Sequence, residues 1–305
     1  MSKVSIIMPV FNGADFLVSS LQSALKQDIS ELELICVNDG STDNSLEVLT
    51  EHQKKDSRIV VLSQENKGSG AARNLALSKA KGEFITFLDA DDWYPDTNVL
   101  STLYGQAKLY KQKMAGGSFV RYYEDGRIES EFSGVYKAYK FEKTEVINTK
   151  DYQFDYGYHR FLYERKMLLD NDIVFPDYLR FQDPPFFLRS LIASETFLAI
   201  AKPVYAYRKG HQVVSWDIDK LTGLLAGLLE NLVISKMKNM VQLHCLIVDR
   251  LEKDFFKIIR DNYRNLAVKY LVYRVIESID IEIMTRQDSS FSIENLEIFK
   301  LHSLG

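Results

Sequence analysis

Asp89-Ala90-Asp91-Asp92 carries the strongest chemical signal in the chain, because it follows the apolar run Phe84-Ile85-Thr86-Phe87-Leu88 without a spacer. Carboxylates gathered at the end of a buried strand repel one another, and that charge costs free energy unless a cation neutralises it. A hard divalent cation such as Mg²⁺ or Mn²⁺, shared with phosphate oxygens, would do so. The plainer alternative is a solvated acidic turn that caps a helix, since Asp is common in turns. Gly68-Ser69-Gly70 is a second candidate, placed after a strand and before a helix as a dinucleotide loop would be. Arg73 stands where the third glycine belongs, and a lone Gly-x-Gly is weak.

The elements that position these residues can be read from periodicity. Residues 3–10 are a β-rich apolar run that ends at Pro9 and the Asn12-Gly13 turn; 33–38, 58–62 and 83–88 are further buried strands. Between them, 16–27, 45–52 and 71–80 carry helical spacing, with Thr42 or Asp43 as a cap for the second helix. Strands alternating with helices at short spacing imply a mostly parallel α/β sheet, with its ligand beyond the carboxyl ends of the strands. That geometry brings 9–12, 38–43 and 89–92 to one rim. From about residue 98 the pattern changes: a helix at 100–111, a hairpin of 119–123 and 128–133, a helix at 186–193 and a strand within 197–207. Residues 151–170 are aromatic-rich and without a clear period. Beyond residue 214 the periodicity is helical at 221–237, 241–261 and 265–276.

Composition narrows the function. The 305 residues are 46% apolar and 26% charged with a formal charge of −4, so they can bury a sizeable core and lack the basic excess of a nucleic-acid binder. Cys36 and Cys245 sit in apolar runs and read as buried thiols, which fits a reducing, cytoplasmic setting. Residues 1–10 read as a strand rather than a signal peptide. The apolar stretch 221–234 is too short to span a bilayer and contains Glu230.

Four segments, in this order and spacing, resemble the inverting glycosyltransferases of family 2: Ile6-Ile7-Met8-Pro9-Val10-Phe11-Asn12, Val37-Asn38-Asp39-Gly40-Ser41-Thr42-Asp43, Asn66-Lys67-Gly68 with Ala71-Ala72-Arg73-Asn74, and Leu88-Asp89-Ala90-Asp91-Asp92. The resemblance implies a GT-A, Rossmann-like fold: a glycosyltransferase domain over 1–212 (1–97 for the nucleotide sugar, 98–212 for the acceptor) and a helical C-terminal extension over 213–305. It implies a hexosyl-type transfer from a nucleotide sugar, most often UDP-linked, to a glycan, glycolipid or glycoprotein in polysaccharide biosynthesis. It also assigns roles. Pro9, Val10, Phe11 and Asn12 would cradle the nucleoside, Asp39 would bond the base or ribose, and Arg73 would lie beside the base. Asp89 and Ala90 would face the ribose and donor sugar. Asp91, from the Asp-x-Asp motif, would hold Mn²⁺ or Mg²⁺, with His211 on the metal or diphosphate and Arg208 helping. Asp183 would be the general base.

The sequence departs from the family's pattern in places. Gln182 replaces the usual Glu before Asp183, two prolines follow, and Ala14 stands where an acid is common. Arg73 has an alternative role as a salt bridge to Asp39 or another strand-end acid, Asp39 as a turn former with Gly40, and Asp183 as a helix cap. The basic and aromatic tail 236–274 reads as part of the acceptor site, a contact between copies, a patch resting on the inner face of the plasma membrane, or an ordinary solvated bundle. Two rival functions remain at this level. One is a sugar-nucleotide nucleotidyltransferase, which would need a glycine-rich basic loop after the first strand. The other is a non-catalytic relative that binds a partner enzyme.

Overall fold

The computed structural model describes residues 2–211 and 215–303. The expected boundary between 212 and 213, and Gln212, Val213 and Val214 within the stretch 207–215, which resembles the family's loop that closes over the donor diphosphate, lie outside the described residues. The chain forms two compact units: one of residues 1–152, 156–175 and 189–213, the other of 153–155, 176–188 and 214–305.

The first unit is a nine-stranded sheet. Its elements are β1 Val4–Val10, α1 Ala14–Leu25, β2 Leu32–Asp39, α2 Ser45–Lys55, β3 Ile59–Gln64, α3 Ser69–Lys79, β4 Phe84–Phe87, α4 Val99–Leu109, β5 Met114–Tyr123, β6 Ile128–Glu129, β7 Glu145–Asn148, β8 Phe161–Glu164, α5 Arg165–Asp170 and β9 Thr196–Lys209. The helix α6, Asp183–Ser194, leads into β9. Strand order is β3-β2-β1-β4-β8-β5-β9-β7, with β6 paired to β5. Strands β1 to β5 and β9 run one way; β6, β7 and β8 oppose them. Every residue of β1 and β4 is buried, which is why both read as unbroken apolar runs rather than alternating ones.

The second helix lacks the expected side-chain cap: its cap is Asn44 with no side-chain bond, while Asp43 reaches the N–H groups of Ser45 and Ala14. Within the run 151–170, a short 3₁₀ turn, Tyr158–Arg160, leads into β8 and then α5. Cys36 is buried as expected, but Cys245 is only half-buried.

The second unit carries α7 Ile218–Met237, α8 Val241–Arg250, α9 Phe256–Asp261, α10 Leu266–Ser278, α11 Ile281–Gln287 and α12 Glu297–Ser303. The expected single helix 241–261 is interrupted by a π-turn at Leu251–Phe255, where one extra residue per turn breaks the ladder. Gly227 of α7 lets the chain pass close by: a Cβ there would meet the Phe181 carbonyl at 2.7 Å. Among the described residues no helix is long and apolar enough to cross a membrane.

Candidate active site

The acidic turn hangs from the carboxyl end of β4. Leu88 N–H bonds the Ile7 carbonyl at 3.0 Å, which fixes the exit of the strand against β1, and Ser20 of α1 donates to the Ala90 carbonyl at 2.7 Å. The end of β9 is then brought over by paired backbone bonds between Trp93 and Ala206, 3.1 and 2.9 Å. Tyr205 Oη donates to Asp92 Oδ2 at 2.7 Å and accepts the Asp89 N–H at 3.2 Å. The Arg208 N–H donates to Asp92 Oδ1 at 2.8 Å, and its Nε to the Asp91 carbonyl at 2.9 Å. The Arg208 guanidinium lies between the Phe16 and Trp93 rings, 4.7 and 4.9 Å from their centroids. His211 Nε2 is 2.7 Å from Asp91 Oδ2, with its ring against Phe16.

Arg73 is buried on α3 and donates to Asp89 Oδ1 at 2.7 Å, with Tyr158 and Phe175 rings on its guanidinium at 5.2 and 5.3 Å. The strand-end acid it pairs with is therefore Asp89. The buried carboxylate of Asp39 accepts from Gln64 Nε2 and from the N–H groups of Lys67 and Gly68, at 2.7 to 2.9 Å. It thereby pins the loop that opens α3, where Gly68 takes a left-handed φ of +87°. Pro9 and Val10 are buried, Phe11 is half exposed, and Asn12, also left-handed, accepts the Thr42 N–H at 2.8 Å.

These residues form one rim, since β1, β2, β4 and β9 run in parallel and Trp93, just past β4, pairs with Ala206 near the end of β9. Burial first, then the charge of Asp89, lifts the Asp91 carboxyl above the usual range, against the hydrogen bond from His211. Burial and the neighbouring charges of Asp91 and Asp89 push Asp92 well above it. The rim thus holds more negative charge than it can comfortably solvate. Among the described residues no group of three or more His, Cys, Asp or Glu side chains is set to hold a metal. Asp91 and His211 set a carboxylate oxygen and an imidazole nitrogen 2.7 Å apart at the rim, donor types that a divalent cation accepts.

Asp183 is the first residue of α6 and belongs to the second unit; Pro184 and Pro185 sit in the first turn, where their missing N–H groups are tolerated. Sequence reasoning missed Tyr205, Trp93 and Phe16. The one available signal was Tyr205 and Tyr207 two apart in a strand, hence on one face.

This mostly parallel α/β sheet, with an acidic turn at the end of its fourth strand, is a GT-A fold. Residues 5–171 match the model described as glycosyl transferase family 2, and the chain belongs to that family. It is 32% identical over 213 residues to glycosyltransferase GlyG of Streptococcus pneumoniae, covering 68% of this chain and 70% of GlyG. It is 31% identical over 210 residues to the uncharacterized glycosyltransferase EpsJ of Bacillus subtilis, covering 68% of this chain and 61% of EpsJ, under two thirds of that relative's length. In structure it resembles S. aureus TarS 1–349 in complex with UDP-GlcNAc, with a TM-score of 0.73 at 20% identity, over 92% of this chain and 82% of that one.

Proposed function

We propose that the chain transfers a sugar, with inversion, from a UDP-linked donor to a hydroxyl of a glycan, glycolipid or glycoprotein. The observation that carries this reading is the 2.7 Å pairing of Asp91 with His211, beside Asp89, on the carboxyl edge of a family 2 sheet. In this reading Pro9, Val10, Phe11, Asn12 and Asp39 flank the nucleoside, while Arg73 orients Asp89 beside the ribose and sugar at Ala90. A divalent cation held by Asp91 and His211 would supply Lewis-acid charge at the leaving diphosphate. Arg208, pre-oriented between two rings, adds fixed positive charge there. Asp183 takes the proton from the attacking hydroxyl. Attack opposite the diphosphate needs one displacement and no covalent sugar–enzyme intermediate.

The same proposal takes 1–212 as the transferase domain and 213–305 as its helical extension. It sets the protein in the cytoplasm, in keeping with the free thiols Cys36 and Cys245. The test is a panel of nucleotide sugars with Mn²⁺, scored for released nucleoside diphosphate. Slow hydrolysis of a UDP-sugar is expected. Release from no donor would overturn the reading, and consumption of a nucleoside triphosphate would replace it with nucleotidyl transfer.

A further inference from the structure

We propose that the aromatic face built by Phe119, Arg121, Phe132, Tyr136, His159 and Tyr207 is a saccharide subsite that holds the acceptor. The proposal rests on the glycosyl-transfer reading above and names where its second substrate lies.

Topology places this face. In the parallel pairing of β5 with β9, Phe119 stands opposite Tyr205 and Arg121 opposite Tyr207, so all four share one side of the sheet. Both strands lie beyond β4 from β1 and β2. The face is therefore on the opposite side of Asp89 from Pro9–Asn12 and Asp39, the residues assigned to the nucleoside. A sugar carried at Asp89 has the nucleotide on one side, and its acceptor must come from the other. The connection to Asp89 is short: Tyr205 holds the Asp89 N–H, the His159 ring packs on Tyr205 with centroids 4.1 Å apart, and the charge of Asp89 is felt at His159.

The chemistry of the face suits a sugar. Phe119 and Phe132 stack at 5.1 Å, His159 and Tyr207 lie nearly parallel at 6.2 Å, and Arg121 covers the Phe119 and Phe132 rings at 5.4 and 5.1 Å. Phe132, Tyr136, His159 and Tyr207 each keep part of their surface in water. A saccharide has an apolar C–H face for such rings and a hydroxyl edge for polar groups among them. Two such groups are present: His159 Nε2 and Arg121 Nε are buried and have no hydrogen-bond partner among the described residues. Orphaned buried nitrogens are uncommon and costly, and an arriving hydroxyl would supply the partner. Burial holds His159 neutral, so that nitrogen can donate or accept according to its tautomer.

The experiment is saturation-transfer NMR on the full chain with UDP, using lactose, cellobiose and N,N′-diacetylchitobiose as probes, and UDP affinity measured alongside by calorimetry. At least one disaccharide should receive saturation on its ring C–H protons. That signal should fall roughly three- to tenfold in Phe132→Ala and Tyr136→Ala and persist in Phe132→Tyr, as expected for loss of a stacked ring. UDP affinity should be unchanged in all three, which also shows that they fold. A wild-type protein that binds UDP but none of the disaccharides overturns the subsite. So do variants that keep full saturation, or that lose UDP affinity instead. A wild-type protein that does not bind UDP overturns the transfer reading beneath it.

Discussion

The Tyr205 hydroxyl joins Asp92 to Asp89: it donates to the carboxylate of one at 2.7 Å and accepts the backbone N–H of the other at 3.2 Å. Both Tyr205 and Asp92 are buried, so the bond between them is shielded from water. Tyr205→Phe leaves Asp92 one donor short, and an unsatisfied buried acceptor costs about 1–3 kcal/mol. The unfolding free energy of Tyr205→Phe should fall by that amount, read as a lower urea midpoint with an unchanged m-value. A midpoint equal to wild type would mean that the tie does not hold the turn.

The Asp91–His211 pair makes a prediction about metal rather than stability. Its side chains are partly open to solvent at 19% and 10%, so truncation should leave the fold intact. Asp91→Ala should weaken Mn²⁺ binding in the presence of UDP by at least ~100-fold, and His211→Ala by roughly 10- to 100-fold, at or above the effect of losing an outer-shell partner. Mn²⁺ titration followed by electron paramagnetic resonance reads both. Wild-type affinity in Asp91→Ala would place the cation elsewhere.

Much of this rim was legible in sequence because its positions are local. A buried parallel strand followed by a polar turn announces itself, as β1, β2 and β4 do. What was hidden depends on strand neighbours. Arg73 pairs with Asp89 because β4 lies beside β1 over α3, and the sequence allowed Asp39 as readily. Asp39 is committed to the backbone of Lys67 and Gly68, a contact that no side-chain pattern records. β8 was missed because it is four residues inside an aromatic run, too short to show alternation, yet it separates β4 from β5. The break in 241–261 was missed because a π-turn shifts the helical phase without a Gly or Pro to mark it.

His159 gives the chain a specific acid sensitivity. Burial lowers its pKa from the ordinary 6.5 to about 3. A histidine that is neutral when folded binds a proton on unfolding, so its contribution to stability is present above 6.5 and is lost as pH falls toward 3. The loss approaches about 1.4 kcal/mol per pH unit inside that window. His159→Gln has no such proton to bind. Its stability should therefore fall less steeply than wild type between pH 6 and pH 4, measured by urea unfolding at each pH. Parallel slopes would show that His159 is solvated in the folded chain.

Asp183 tests the catalytic assignment separately from donor binding. Asp183→Asn keeps the size and the helix start but cannot accept a proton at neutral pH. Transfer should fall about 10²- to 10⁴-fold in kcat, the usual worth of a general base. The dissociation constant for UDP should stay within about twofold of wild type, since a proton acceptor contributes to the transition state and not to nucleotide binding. Normal transfer by Asp183→Asn would move the base to another residue.

In the helical unit, Arg250 of α8 and Asp155 form an ion pair at 2.6 Å with side-chain exposures of 2% and 0%, and Asn231 of α7 donates to the second Asp155 oxygen at 2.7 Å. Both charges have given up water, so the pair adds little net stability relative to apolar residues, but either half alone is costly. Arg250→Ala should lower the stability of this unit by about 3–5 kcal/mol, because Asp155 is left charged and buried. The double variant Asp155→Asn/Arg250→Met removes both charges at similar volume and should cost less than Arg250→Ala alone. That reversal of additivity, read from the urea transition of the helical circular dichroism signal, separates a desolvated pair from ordinary packing. If the double variant is the less stable of the two, the loss comes from shape and hydrogen bonding rather than from stranded charge.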